Sequence, residues 1–144
     1  MEADEMATST ATLDRAVASR LASAVAAIDG VRSALVCDAA GTALAASGST
    51  EPARDAALAS FVALRAEALP VDGDLRGMGR QLAGSRLDHV LISGPGAIDR
   101  LICGVAGQTY IALAVASGRS AAILPAIAQV LRRHALTPNT ATRR

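Results

Sequence analysis

A chain of 144 residues, about half of them hydrophobic, is long enough to bury a core as one domain. Its 14 basic and 13 acidic residues give a formal net charge of +1 with the signs well mixed, and Phe61 and Tyr110 are its only aromatics. Neither a basic footprint nor a stacking platform for nucleic acid is present, and no apolar run approaches the roughly 20 residues that span a bilayer.

Residues 1–11 are acidic and polar, without the basic start and apolar centre of a signal peptide, and read as a disordered lead-in to a cytoplasmic protein. A single domain is expected over 12–135, and a disordered tail over 136–144. The first helix is predicted over 12–28, where Leu13, Val17, Leu21, Ala24, Val25 and Ile28 recur at three and four residues, and Asp29 and Gly30 end it. The stretch VRSALVCDAAGTALAA, residues 31–46, then reads as two strands joined by a turn at Asp38, Ala39, Ala40 and Gly41. Asp at the first position bonds to backbone two residues on, and Gly at the fourth accepts the left-handed conformation that closes a bulged hairpin.

A second helix is predicted to end near Leu69 ahead of Pro70, with Thr50 as its cap and Pro52 in its first turn. At 100° per residue it carries two apolar stripes, one of Ala57, Phe61, Leu64 and Ala68, the other of Leu58, Val62 and Leu69, with Arg54 and Arg65 between them. The first stripe, smooth with alanine, is the one expected against the sheet, with Phe61 buried. One stripe serves the helix's own sheet. The other requires either the segment 75–82 or a second molecule, and the two arginines also fit a plain solvent-facing role.

Between 71 and 86 four glycines interrupt the spacing of Leu75, Met78 and Leu82, which predicts one short, marginal helix. Three strands follow at 89–93, 100–104 and 109–116, with short Gly-rich connections that make them an antiparallel meander. In the last strand Ile111, Leu113 and Val115 alternate with Tyr110, Ala112 and Ala114. One face is bulky and the other small, which suits a central strand with a helix lying close on its small side. The final helix is predicted over 120–134 with Ile123, Ile127, Val130 and Leu131 inward, although Pro125 removes one of its hydrogen bonds.

Catalytic, cofactor and metal sites are expected to be absent. The glycine pairs at Gly77 and Gly94 continue into neither a dinucleotide fingerprint nor a phosphate loop. His89 and His134 lack ligand-spaced companions, and no serine sits in a nucleophile elbow. Asp72, Asp74, Asp88 and Asp99 read as turn and cap residues, and Cys37 and Cys103 as small buried hydrophobes.

The order helix, hairpin, helix, three strands, helix, with ALVCDAAGTALAAS, LAGSRLDHVLIS and DRLICGVAGQTYIALAVA at its strands, resembles the Roadblock family of dynein light chains. Its prokaryotic branch, which regulates small Ras-like GTPases, is the nearest likeness. That resemblance implies an α+β sandwich of topology αββαβββα, with a five-stranded antiparallel sheet of order 2-1-5-4-3, the first and last helices on one face and the second on the other. Cys37 and Cys103 would then lie on strands separated by the fifth, about 9–10 Å apart and beyond a disulfide's reach. It further implies homodimers in which second helices pair and third strands meet edge to edge, so Arg54, Leu58, Val62, Arg65, Leu69, His89, Leu91 and Ser93 are the candidate interface residues. The segment 70–84 departs from the family pattern, where the helix is usually longer. The function expected is that of a non-catalytic dimeric module that binds a Ras-like GTPase. The alternative is a small-molecule sensing domain of the PAS or GAF kind, which the scarcity of aromatics for lining a pocket disfavours.

Overall fold

The computed structural model describes residues 13–68, 88–94, 96–105, 108–134 and 136. They form, in chain order, α1 (Arg15–Ala26), β1 (Val31–Asp38), β2 (Ala43–Ser47), α2 (Pro52–Ala68), β3 (His89–Ser93), β4 (Ile98–Val105), β5 (Thr109–Ala116) and α3 (Ser120–Arg133). The lead-in 1–11, Leu69, the marginal helix expected at 75–82 and residues 137–144 lie outside the described residues. Leu136, which the sequence assigned to the tail, donates its N–H to the Leu131 carbonyl at 2.8 Å and packs against the core.

The first turn forms as its residues dictate. One carboxylate oxygen of Asp38 accepts hydrogen bonds from the backbone N–H groups of Ala40 at 3.0 Å and Thr42 at 2.9 Å, and the Asp38 carbonyl accepts from Gly41 at 3.1 Å. Gly41 sits at φ +84°, a conformation that side chains with a Cβ rarely adopt. The turn also leans on α2, since a Cβ at Gly41 would stand 3.1 Å from the Ser60 hydroxyl. At the start of α2, Pro52 is the first helical residue, which puts Glu51 and not Thr50 at the cap position. Proline is preferred there because its missing N–H would be unpaired in any case.

All strand pairs are antiparallel and the sheet order is β2-β1-β5-β4-β3, as the resemblance implied. The chain's first and last strands therefore lie side by side at the centre, and β2 and β3 form the two edges. β4 begins two residues earlier than expected, because Ile98 and Asp99 pair with Ala116 and Val115. The buried Asp99 carboxylate then accepts from the Gly118 N–H at 3.3 Å.

Strand alternation divides the core in two. On one face Ala34, Val36, Leu101, Cys103, Val105, Ile111, Leu113 and Val115 meet Ala18, Leu21, Ala22 and Val25 of α1 and Ile123, Ile127, Val130 and Leu131 of α3. A leucine as fully buried as Leu21 contributes about 1.5–3 kcal/mol relative to an exposed one. On the other face Leu35, Cys37, Ile102 and Tyr110 meet the buried Ala56, Ala59 and Ala63 of α2, with Val62 and Ala66 packed partly against them. The two cysteines are free, buried, on non-adjacent strands and on opposite faces. Pro125 lies inside α3 on its exposed side, and so does Ala121, whose carbonyl loses its partner N–H but keeps access to water.

Candidate functional site

α2 lies on the sheet by its smallest side chains. Ala56, Ala59, Ser60 and Ala63 are buried, while Leu58, Phe61 and Leu64 are 43%, 58% and 48% exposed. Phe61, expected against the sheet, faces outward, and the Phe61 stripe is not the one that packs. The physical reason is close approach. The sheet surface beneath α2 is lined at its centre by Ala112 of β5, and a helix reaches that low surface only by presenting residues equally small.

The polar groups of α2 are placed at its ends and flanks. Asp55 accepts from the Ser49 hydroxyl at 2.7 Å and faces Arg100 of β4 at 3.8 Å. Glu67 accepts from the Tyr110 hydroxyl at 3.1 Å. Arg54 points to solvent, 81% exposed, with Glu51 at 3.3 Å. Arg65 is also exposed, its guanidinium 5.0 Å from the centre of the Phe61 ring. Val62 is half-buried against the sheet.

Beside α2, crossing the sheet from β1 over β5 and β4 to β3, runs an open cleft of about 370 Å³, including the solvent at its mouth. Leu35, Ile102 and Ala112 are among its lining residues, with Leu58, Asp55, Ile92 and Arg100. The cleft was not anticipated. Its signal lay in the strand order, because a single helix cannot cover the whole of one face of a five-stranded sheet.

β3 is the edge strand beyond the cleft, and its exposure alternates with the pleat. Val90 and Ile92 turn toward the α2 face and are half-buried. His89, Leu91 and Ser93 turn to the opposite face and are exposed, Leu91 by 46%. The His89 imidazole pairs with the Asp88 carboxylate at 2.6 Å. Of the candidate interface residues, then, Arg54, Leu58 and Arg65 share the free side of α2, and His89, Leu91 and Ser93 share one side of a free sheet edge. Val62 belongs partly to the core, and Leu69 lies outside the described residues. Both thiols are pushed up to about 12, chiefly by burial and secondarily by the nearby charges of Asp38 and Asp88.

No family model and no curated protein sequence matches the chain. Solved structures do match. A Roadblock/LC7 domain from Streptomyces avermitilis superposes with a TM-score of 0.64 at 16% identity, covering 85% of this chain and 94% of that one. The gliding protein MglB from Thermus thermophilus gives 0.62 at 16% identity over 87% of this chain and 93% of that one.

The chain has the Roadblock/LC7 fold.

An MglB in a tetrameric arrangement aligns with a TM-score of 0.57 at 15% identity, covering 86% of this chain and 94% of that one. The layout of this chain puts α2 and β3 next to the same open cleft, with Leu58, Phe61 and Leu64 exposed on the α2 side of the sheet and Leu91 exposed on the opposite face of the β3 edge.

Proposed function

We propose that this Roadblock/LC7-fold protein is a non-catalytic homodimeric module that binds a small Ras-like GTPase and regulates its nucleotide cycle, in the cytoplasm. The observation that carries this reading is α2, which rests on its sheet by alanines and turns Leu58, Phe61 and Leu64 to solvent. Three large apolar side chains on one exposed helix face mark a surface that meets another protein. The adjoining cleft and the uncharged edge of β3, which lacks the Lys, Pro or bulge that usually blunts an edge strand, supply the rest of a two-fold interface. In this arrangement Leu58 at the cleft and Val62 beside it face the second copy, and the β3 strands bearing His89, Leu91 and Ser93 run edge to edge. Arg54 and Arg65 flank the paired helices. The likeness to the MglB structures supports the partner class.

Affinity capture of purified Ras-like GTPases, each loaded with GDP and with a non-hydrolysable GTP analogue, tests the function. Retention that depends on nucleotide state is expected, and the absence of binding in both states across the panel would defeat the reading. Sedimentation equilibrium tests the dimer separately. The wild type is expected to be dimeric at micromolar concentration, and Leu58→Asp to be folded but monomeric, since the symmetric interface would oppose two buried carboxylates.

A further inference from the structure

We infer that the outward strip of α2 formed by Arg54, Phe61, Leu64 and Arg65 is a docking site for a protein surface that brings carboxylates to both ends of an apolar patch. The inference rests on the reading above that the module binds another protein, and it assigns the chemistry of that partner. Every acid within α2 is turned away from the strip. Asp55 is engaged by Ser49 and Arg100, and Glu67 accepts from Tyr110. Among the described residues only Glu51, ahead of the helix, reaches Arg54, in an exposed pair of the kind that contributes little. Among the described residues Arg65 has no carboxylate within ion-pair distance. Its guanidinium is held over the exposed Phe61 ring at 5.0 Å, so the cation is placed before any partner arrives. In a protein whose formal charge is only +1, two guanidiniums thus bracket an apolar patch, about 16 Å apart along the helix axis.

Charge also decides against a second copy as the occupant. The strip carries Arg54 toward one end and Arg65 toward the other, with Phe61 and Leu64 as its apolar part, so a cation marks each end whichever way it is read. A two-fold antiparallel pairing of this strip with itself sets Arg54 against Arg65 at each end, opposing like charges with only the exposed Glu51 beside Arg54 to offset them. Self-association is therefore left to the cleft side of α2 and the β3 edge, and the outward strip to a partner of opposite sign. Neither guanidinium lines the cleft beside α2 or the groove against α3, and both lie on exposed helix surface, which suits carboxylates carried on a broad protein surface and not a small free anion.

The test uses the full chain and a synthetic helical peptide of about 18 residues, with leucines along one face and two glutamates eleven residues apart. A second peptide carries lysines in their place. The glutamate peptide is expected to bind, with amide shift changes concentrated between residues 54 and 68, and to weaken as salt rises. Arg65→Glu should lower its affinity about tenfold or more while raising that of the lysine peptide. Equal binding of the two peptides, shift changes at β3 in place of α2, or indifference to Arg65→Glu would overturn the proposal. So would tighter self-association of Arg65→Glu in sedimentation, because a second copy seated on the strip would gain a carboxylate opposite Arg54. If the GTPase panel fails while the peptides behave as expected, the partner class is wrong and the surface stands; the reverse removes only the surface.

Discussion

The two faces of the sheet are built on opposite plans. Against one face, α1 and α3 pack large branched side chains that interdigitate with Leu101, Ile111, Leu113 and Val115. Against the other, α2 brings alanines and a serine to the sheet, and its three large apolar residues point away. Hydrophobic volume is therefore spent inward on the first face and outward on the second. The first face gives the fold its stability, while the second gives up core volume so that a helix can lie low and keep its bulk for association.

Leu101→Ala should produce the largest effect, because it opens a cavity in the interdigitated face. A loss of about 3 kcal/mol, read from denaturant unfolding, is expected at a fully buried leucine. Alkaline pH probes both faces at once, with one buried thiol on each. The folded-state values near 12 lie above the ordinary 9.0, so the stability the neutral thiols support is complete below pH 9 and is lost as pH rises toward 12. At pH 10 each thiol should cost about 1.4 kcal/mol, and Cys37→Ala or Cys103→Ala should each remove its own share of the slope in melting temperature against pH. In the native protein Cys103, at the wall of a small groove against α3, should label ahead of Cys37, and both should count in denaturant without reductant.

Ala63→Leu sharpens the contrast from the α2 side. A larger side chain beneath a helix that lies this low must lift it, for an expected loss of about 1–3 kcal/mol, although the change adds hydrophobicity. Phe61→Ala should be the mildest, shifting stability by about 0.5 kcal/mol or less in circular dichroism melts, since more than half of the ring is already in water. Together the last two would invert the usual ranking in which removing an aromatic outweighs altering an alanine.

Local chemistry carried much of the fold into the sequence. The Asp38–Gly41 turn was legible because one carboxylate and one glycine suffice to specify it, and β3 and β5 were legible from alternation and flanking glycines. Sheet order was not legible from spacing and came with the family resemblance, since hydrogen-bond pairing between distant strands leaves no local trace. The burial of α2 was misread because the stripe of Ala57, Phe61, Leu64 and Ala68 was expected to pack for its alanines, whereas the side that packs, Ala56, Ala59, Ser60 and Ala63, carries no large residue at all. The correcting signal was present in the alternation of Ala112 and Ala114 on β5, which already required a close helix and hence a small helix face. The cleft and its Asp55 and Arg100 rim escaped because they belong to the space between elements, which no single segment encodes.

The two ends of α2 are fastened differently from its middle. Ser49 and Arg100 hold Asp55 near the first turn, Tyr110 holds Glu67 near the last, and between them the helix rests on alanines that offer no interlocking ridges. In mechanical terms it is a beam pinned at its ends on a smooth bearing. A load applied to its outer side is transmitted to the pins, through Arg100 into β4 and through Tyr110 into β5, so a partner pressing on the helix pulls on the central strand and on the neighbour that joins it to the β3 edge.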